Sequence, residues 1–393
     1  MHRCHSILAV AATVLLSACS LSVSHESAGE SASDLEIQVD RWAETAVADG
    51  AVAGLSVAVE RDGKLLLAKG YGMADLEQDV AADRDTVYRI GSVTKQFTAA
   101  AIMQLVEAGQ VRLDAPIQEY VDFPTGDHEV TVEHLLHHTS GIKSYSSVGE
   151  KWRRTIPLDT THEEILGLVV DEPFDFSPGD EWRYSNSGYY LLGMIVESVT
   201  GGSYADYVEQ TLAAPLGLER TTYCDEKRLI PGRAEGYERE DGELVNDDPL
   251  SMTHAFAAGS LCSTVLDLLR WQAALETGEA VSADSYARMT TAGVLNDGEA
   301  TRYGYGLGLG DLEGHLRVSH GGQINGFATH FAGYPDDELR VVVLANTTGP
   351  TVGQLGRRIA RYALDLPIAE IKDPPVDEAS AAPNPGEAPR VEQ

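Results

Sequence analysis

Apolar residues recur along this chain with two different periods, and each period keeps to its own stretches. From Phe97 to Ala108 the period is helical: Phe97, Ala100, Ala101, Ile102, Leu105 and Val106 fall at helix spacing, and Gly109 is a natural stop. The run is apolar on almost every side, so the helix is predicted to be buried in the middle of the molecule. Earlier, Leu35, Val39, Trp42 and Ala46 mark one face of a helix with Asp34 as its expected N-cap. GLSVAVE and KLLLAKGYG read as strands, and Arg61-Asp62-Gly63 between them is a hairpin signal. Strand-like runs return from Arg302 onwards in YGYGLGLG, HLRVSHG, GFATHFAGYP and ELRVVVLANTT, before a helix in GRRIARYALDL. The stretch from about 110 to 300 is mainly helical and loop-rich. Strands at both ends with helices between predict an α/β (α+β) fold. Its antiparallel sheet is assembled from both ends of the chain and flanked by helices, with a mainly helical region inserted at about 100–300.

The buried helix begins with chemistry. Gly91-Ser92-Val93-Thr94-Lys95 puts a serine and a lysine three residues apart, nearly one helical turn, at a helix N-terminus where free N–H groups favour an oxyanion. An isolated Ser-x-x-Lys is also an ordinary N-cap with a solvated lysine, and Ser140-Gly141-Ile142-Lys143 fits the same pattern. Only Ser92 heads a long apolar helix, and burial of Lys95 is what would lower its pKa towards that of a useful base. Tyr184-Ser185-Asn186 presents a phenol and an amide from a loop entering another helix. In His320-Gly321-Gly322-Gln323, the two glycines at a strand end let a substrate approach the backbone. There the Gln323 N–H is placed to join that of Ser92 as a second oxyanion donor.

Composition narrows the partners. The 393 residues carry a formal net charge of -32, which argues against nucleic acid and against an anionic membrane face. Arg3 followed by ILAVAATVLL is a targeting signal too short to span a bilayer. Its end, Leu16-Ser17-Ala18-Cys19, resembles the lipobox of bacterial lipoproteins. That resemblance implies cleavage before Cys19, lipidation of that cysteine and attachment to a membrane through the lipid. Ser20 in the next position resembles sorting to the outer membrane, facing the periplasm. The expected organisation is a signal peptide at 1–18, a Ser-rich tether at 19–33, one folded domain at 34–368 and an acidic tail at 369–393. Cys224 and Cys262 remain in the body, either as a disulfide or as two separate buried thiols. Glu133, His134, His137 and His138 share a short segment without an evident third ligand, and no metal site is expected. Thr161-His162-Glu163-Glu164 reads as a capped helix start, and Trp152 and Trp182 as packing residues placed to line a cleft.

Taken in order, Ser92-x-x-Lys95, Tyr184-x-Asn186 and His320-x-Gly322 resemble the serine β-lactamase and penicillin-binding protein superfamily. The likeness is to its class C β-lactamase-like branch, with D-alanyl-D-alanine carboxypeptidases and esterases. HLLHHTSGI, FSPGDEWRYSNSGYYLLG, PLGLERTTY and AAGSLCSTVLDLLRW are similar to that branch as well, and the likeness runs from about residue 37 to 365. It implies a β-lactamase/transpeptidase-like fold and a serine hydrolase without metal or other cofactor. The implied substrates are an ester or amide: a small ester, a β-lactam or a peptidoglycan-derived D-alanyl peptide. Ser92 would attack, Lys95 and Tyr184 would share the base role, and Tyr184 would protonate the leaving group. Asn186 would orient Lys95, and the Ser92 and Gln323 amides would hold the oxyanion. One departure is that His320 and Gly321 stand where β-lactamases of this branch carry lysine and threonine. A histidine of ordinary pKa is mostly neutral at pH 7. The expectation therefore moves from β-lactamase towards esterase or peptidase, with His320 hydrogen-bonding Tyr184 or the substrate. A slowly deacylating penicillin-binding or peptidoglycan-sensing lipoprotein is the alternative, and a β-lactamase the second.

Overall fold

Asp62 and Gly63 both take positive φ, 52° and 67°, the backbone that a two-residue hairpin loop requires. They join β1 (Gly54–Arg61) to β2 (Lys64–Asp75), as the sequence predicts. The computed structural model describes residues 32–368, so the signal peptide, Cys19, most of the tether and the acidic tail lie outside the described residues. Beyond the hairpin come the short β3 (Val80–Ala81) and, from the C-terminal part, β4 (Gly308–Leu312), β5 (His315–Ile324), β6 (Phe327–Tyr334) and β7 (Leu339–Ala345). The sheet order is β3-β2-β1-β7-β6-β5-β4, with antiparallel pairs throughout. β1 and β7 lie side by side, Leu55 opposite Ala345 and Arg61 opposite Leu339, so the N- and C-terminal parts of the described domain are zipped together at the centre.

Both faces of that centre are covered, which is why β7 reads as an unbroken apolar run rather than an alternating one. Successive side chains go to opposite faces. Val57, Val59, Val341 and Val343 pack under α1 (Ala32–Ala48) and the C-terminal helix Thr351–Ala363. Ala58, Val342 and Leu344 join the larger core on the other side. There α2 (Thr94–Glu107) runs through the interior with Phe97 stacked on Trp271, ring centroids 3.9 Å apart. α3 (Asn186–Thr200) packs beside it, buried over most of its length.

Three local expectations need correction. α1 is already helical at Ala32, so Asp34 sits in its first turn rather than at the N-cap. Of YGYGLGLG, only the part from Gly308 is strand. Tyr303 to Leu307 leaves the sheet, and Gly306 (φ 68°) passes so close to α2 that an added Cβ would lie 2.6 Å from the Lys95 carbonyl oxygen. The inserted region is also less purely helical than expected. It holds a hairpin, Tyr237–Glu240 with Glu243–Asn246, and two strands, Leu261–Ser263 and Thr222–Tyr223, that form a small sheet with Tyr88–Arg89. Of the two states left open for Cys224 and Cys262, the structure has the disulfide, with Cα atoms 5.2 Å apart.

Candidate active site

A tight turn, Gly91–Val93, leads directly into α2 and presents Ser92 at its head. Its position is fixed from both sides. The Ile90 N–H donates to the Leu261 carbonyl at 2.9 Å, and the Leu261 N–H donates to Thr94 Oγ1 at 3.1 Å. Gly91 has φ of 51°, and a Cβ there would meet the Gln323 amide nitrogen at 3.0 Å. On the same strand, a Cβ at Gly322 would fall 2.1 Å from the Ile90 carbonyl oxygen. The two glycines thus allow β5 to lie directly against the nucleophile turn, with the Gln323 amide beside Ser92.

Lys95 is fully buried, and its Nζ lies 3.1 Å from Ser92 Oγ, 2.9 Å from Asn186 Oδ1 and 2.7 Å from the Ala258 carbonyl oxygen. Desolvation holds its pKa well below the usual lysine value. A neutral amine has two N–H donors and one lone pair. Asn186 Oδ1 and the Ala258 carbonyl can only accept, so once Lys95 has given up its third proton they hold the two remaining N–H groups and turn the lone pair to the Ser92 hydroxyl. This is the geometry of a general base. The orientation of Asn186 is set in turn: its Nδ2 donates to Ser146 Oγ at 3.0 Å and its backbone N–H to Ser144 Oγ at 3.1 Å. Neither serine nor the Ala258 carbonyl was singled out from sequence. The serine run in KSYSSV was a visible signal, whereas a backbone carbonyl carries none.

Tyr184 lies over the amine, its ring centroid 4.7 Å from Lys95 Nζ. Burial raises the pKa of the phenol, and the neighbouring Ser92 hydroxyl pulls it part of the way back. The Tyr184 hydroxyl makes no hydrogen bond of regular geometry with the described residues, so it faces the serine uncommitted. His138 holds this segment in place. Its carbonyl accepts from Arg183 N–H at 3.0 Å, its Nδ1 accepts from Ser185 N–H at 3.1 Å, and its ring lies 4.3 Å from that of Tyr184. It does so from the left-handed region, with φ of 61°. Asparagine tolerates that backbone but lacks the ring. His138→Asn is therefore expected to lower kcat about tenfold with KM little changed, through a displaced Tyr184. Steady-state kinetics with a chromogenic ester checks this, and an unaltered kcat would remove the positioning role.

His320 lies on its strand beside the site, as expected, but its hydrogen bonds go elsewhere than expected. It is 4% exposed, with Nε2 2.8 Å from the Tyr303 hydroxyl and Nδ1 2.6 Å from the Gly321 carbonyl oxygen. The carbonyl requires the proton on Nδ1, so Nε2 accepts from Tyr303 and has nothing left for Tyr184 or a substrate. Desolvation first, and the nearby Lys95 second, push its pKa down to about 3. It stands in the site as a neutral, internally satisfied group.

Among the other singled-out residues, Ser140 Oγ accepts from the Ile142 N–H at 3.2 Å, and Lys143 pairs with Asp175 at 2.7 Å, so that second Ser-x-x-Lys is structural. His134 caps its own helix through Thr131, and His137 Nδ1 faces the Tyr303 carbonyl at 3.2 Å. Thr161 and Glu164 form the expected capping box. Trp152 lines the cleft that opens above Ser92, together with Asn186, Gln323 and Glu238. Trp182 packs instead on His138 and Tyr303.

Known proteins share this arrangement of chain. Protein flp of Staphylococcus aureus is 28% identical over 333 residues, 82% of this chain and 65% of its own, so the chain spans about two thirds of that relative's length. A structure of the octameric penicillin-binding protein homologue from Pyrococcus abyssi is 31% identical with a TM-score of 0.73, covering 86% of this chain and 78% of that one. D-amino acid amidase from Ochrobactrum anthropi SV3, complexed with L-phenylalanine amide, is 26% identical with a TM-score of 0.74, covering 84% and 99%. The family model described as Beta-lactamase matches residues 39–365, and with Ser92, Lys95, Tyr184 and Asn186 gathered at one cleft, the chain belongs to the beta-lactamase family.

Proposed function

We propose that this protein is a serine hydrolase that cleaves an amide or ester through an acyl-enzyme on Ser92. The observation that carries the reading is the fully buried Lys95, its Nζ 3.1 Å from Ser92 Oγ and its pKa held well below the usual lysine value. The Ser92 proton passes to Lys95 Nζ as Oγ bonds to the substrate carbonyl carbon. The carbonyl oxygen becomes an oxyanion between the Ser92 and Gln323 amides. Tyr184 relays the proton from Lys95 to the leaving nitrogen or oxygen as its bond to the acyl carbon breaks. A water then attacks the ester, its proton passing through the Tyr184 hydroxyl to Lys95 Nζ, and the acid departs as Lys95 returns that proton to Ser92 Oγ. Likeness to an amidase and a penicillin-binding protein homologue supports amide or ester chemistry at this centre. His320, neutral and bound to Tyr303, offers no cation to a substrate carboxylate, which favours esterase or amidase over β-lactamase action. The Cys224–Cys262 disulfide suits the oxidising compartment of an exported, lipid-anchored protein bearing Cys19.

The test is mass spectrometry of the intact protein mixed with a p-nitrophenyl ester, beside Ser92→Ala. A transient mass increase equal to the acyl group, with nitrophenol release, is expected for wild type and neither for the variant. Release that survives in Ser92→Ala would sink the proposal. The pH profile supplies a second reading. Protonation of Lys95 removes its lone pair, so kcat/KM falls on the acid side, and His320, its pKa pushed down to about 3, adds no ionisation near neutral pH.

A further inference from the structure

Glu238 belongs to the hairpin that the sequence did not reveal, and it faces the catalytic cleft. Strand alternation sets this direction. Tyr237 is buried, and its hydroxyl accepts from the Leu76 N–H at 2.7 Å on the side away from the cleft. The next residue therefore points the other way, among the residues that line the space above Ser92. The hairpin is not a loose flap. Gly326 (φ 72°) lies so close to it that a Cβ there would sit 2.6 Å from the Gly236 Cα. Asn325 Nδ2 donates to the Asp248 carbonyl at 2.9 Å, and the Thr348 N–H donates to the Tyr237 carbonyl at 3.2 Å. The hairpin of Glu238 is thus tied to the turn that follows β5, and Glu238 and Gln323 line the same cleft.

Carboxylates dominate the charge around it. Burial, and then Asp248, Asp247 and Glu240, raise the pKa of the Glu238 carboxyl. The nearby cation, Arg89, is already engaged by Glu226 at 3.3 Å and Asp247 at 3.7 Å. Lys95 is buried beneath the floor of the cleft, and among the described residues neither lysine nor arginine lines its wall. A carboxylate group on a substrate would enter this space unpaired, whereas an ammonium would find a counter-charge waiting. From this placement we infer that Glu238 is a specificity-determining residue, selecting acyl donors that carry a free amine close to the scissile carbonyl and disfavouring those that carry a carboxylate there. The inference rests on the Ser92 hydrolase reading and names its substrate class.

Three p-nitroanilides with one leaving group test it: D-alanyl (ammonium), N-acetyl-D-alanyl (neutral) and N-succinyl-D-alanyl (carboxylate), assayed near neutral pH. Wild type is expected to rank them in that order by kcat/KM, with the spread shrinking as salt is added. Glu238→Gln is expected to reduce the ammonium-to-neutral ratio about tenfold, and Glu238→Lys to place the carboxylate substrate first. A ratio that Glu238→Gln leaves unchanged, or a wild type that prefers the succinyl substrate, overturns the inference. p-Nitrophenyl butyrate separates the two failures. If butyrate is cleaved but none of the anilides, the inference alone falls; if butyrate is also left intact, the hydrolase reading falls with it.

Discussion

Lys95→Met is expected to lower kcat/KM by about 10³-fold while leaving a folded protein. Methionine fills nearly the same space but its thioether is not basic, so the Ser92 proton loses the amine that would accept it at 3.1 Å. The substitution also deprives Asn186 Oδ1 and the Ala258 carbonyl of their donor, and each buried acceptor left unpaired costs about 1–3 kcal/mol. An opposing term has a definite sign. Folding depresses the Lys95 pKa below its unfolded value of 10.5, so below that value the unfolded state binds the extra proton. Native stability is accordingly reduced at neutral pH, and the penalty fades as pH rises towards 10.5. Lys95→Met should therefore flatten the dependence of stability on pH across that window. Kinetics at saturating ester, with thermal melts at neutral and alkaline pH, check both parts. Turnover near the wild-type rate would remove Lys95 as the base.

Gly322→Ala is expected to cost activity without touching any group that reacts. Its Cβ would need to occupy a point 2.1 Å from the Ile90 carbonyl oxygen, two residues before Ser92. Both partners are backbone, one in β5 and the other fixed by its bond to Leu261, so neither side can yield by turning a side chain. The strand and the nucleophile turn must separate, taking the Gln323 amide away from Ser92. A displacement of about 1 Å at a reacting centre can cost about 10²-fold, and overpacking of this kind about 1–3 kcal/mol of stability. Circular dichroism beside kcat/KM separates the two effects. A variant with wild-type kinetics would show that β5 does not supply an oxyanion donor.

Much of this was legible because the relevant signals are local. An all-apolar helix behind Ser92 announces burial, and burial is what makes Lys95 a base. Asp62-Gly63 announces a hairpin and its register. Illegible parts are those in which a residue takes its partner from far along the chain. His320 looked free to serve the substrate because nothing in sequence links it to Tyr303, which leaves its strand to reach the ring. The Ala258 carbonyl has no side-chain signature. The hairpin of Glu238 has too few apolar residues to display a strand period, although Asp241 and Gly242, with φ of 49° and 93°, carry the same turn chemistry as the first hairpin. An Asp-Gly pair weighed without its flanking hydrophobicity would have found it.

The disulfide has a consequence for how such a cleft diversifies. Cys224 and Cys262 are 38 residues apart in sequence, and their Cα atoms are 5.2 Å apart in space. The chain between them is a covalently closed loop that holds the Glu238 hairpin and the helix Met252–Gly259, and lengthening a connection whose ends are already fixed costs little entropy. Near its far end the loop carries Ala258, which grips the base; earlier in it stands the wall that carries Glu238. Insertions and deletions around residues 226–246 can therefore exchange one wall for another while the catalytic centre keeps its anchorage. The bridge makes that stretch a replaceable cassette, through which one hydrolytic machine can acquire new substrates.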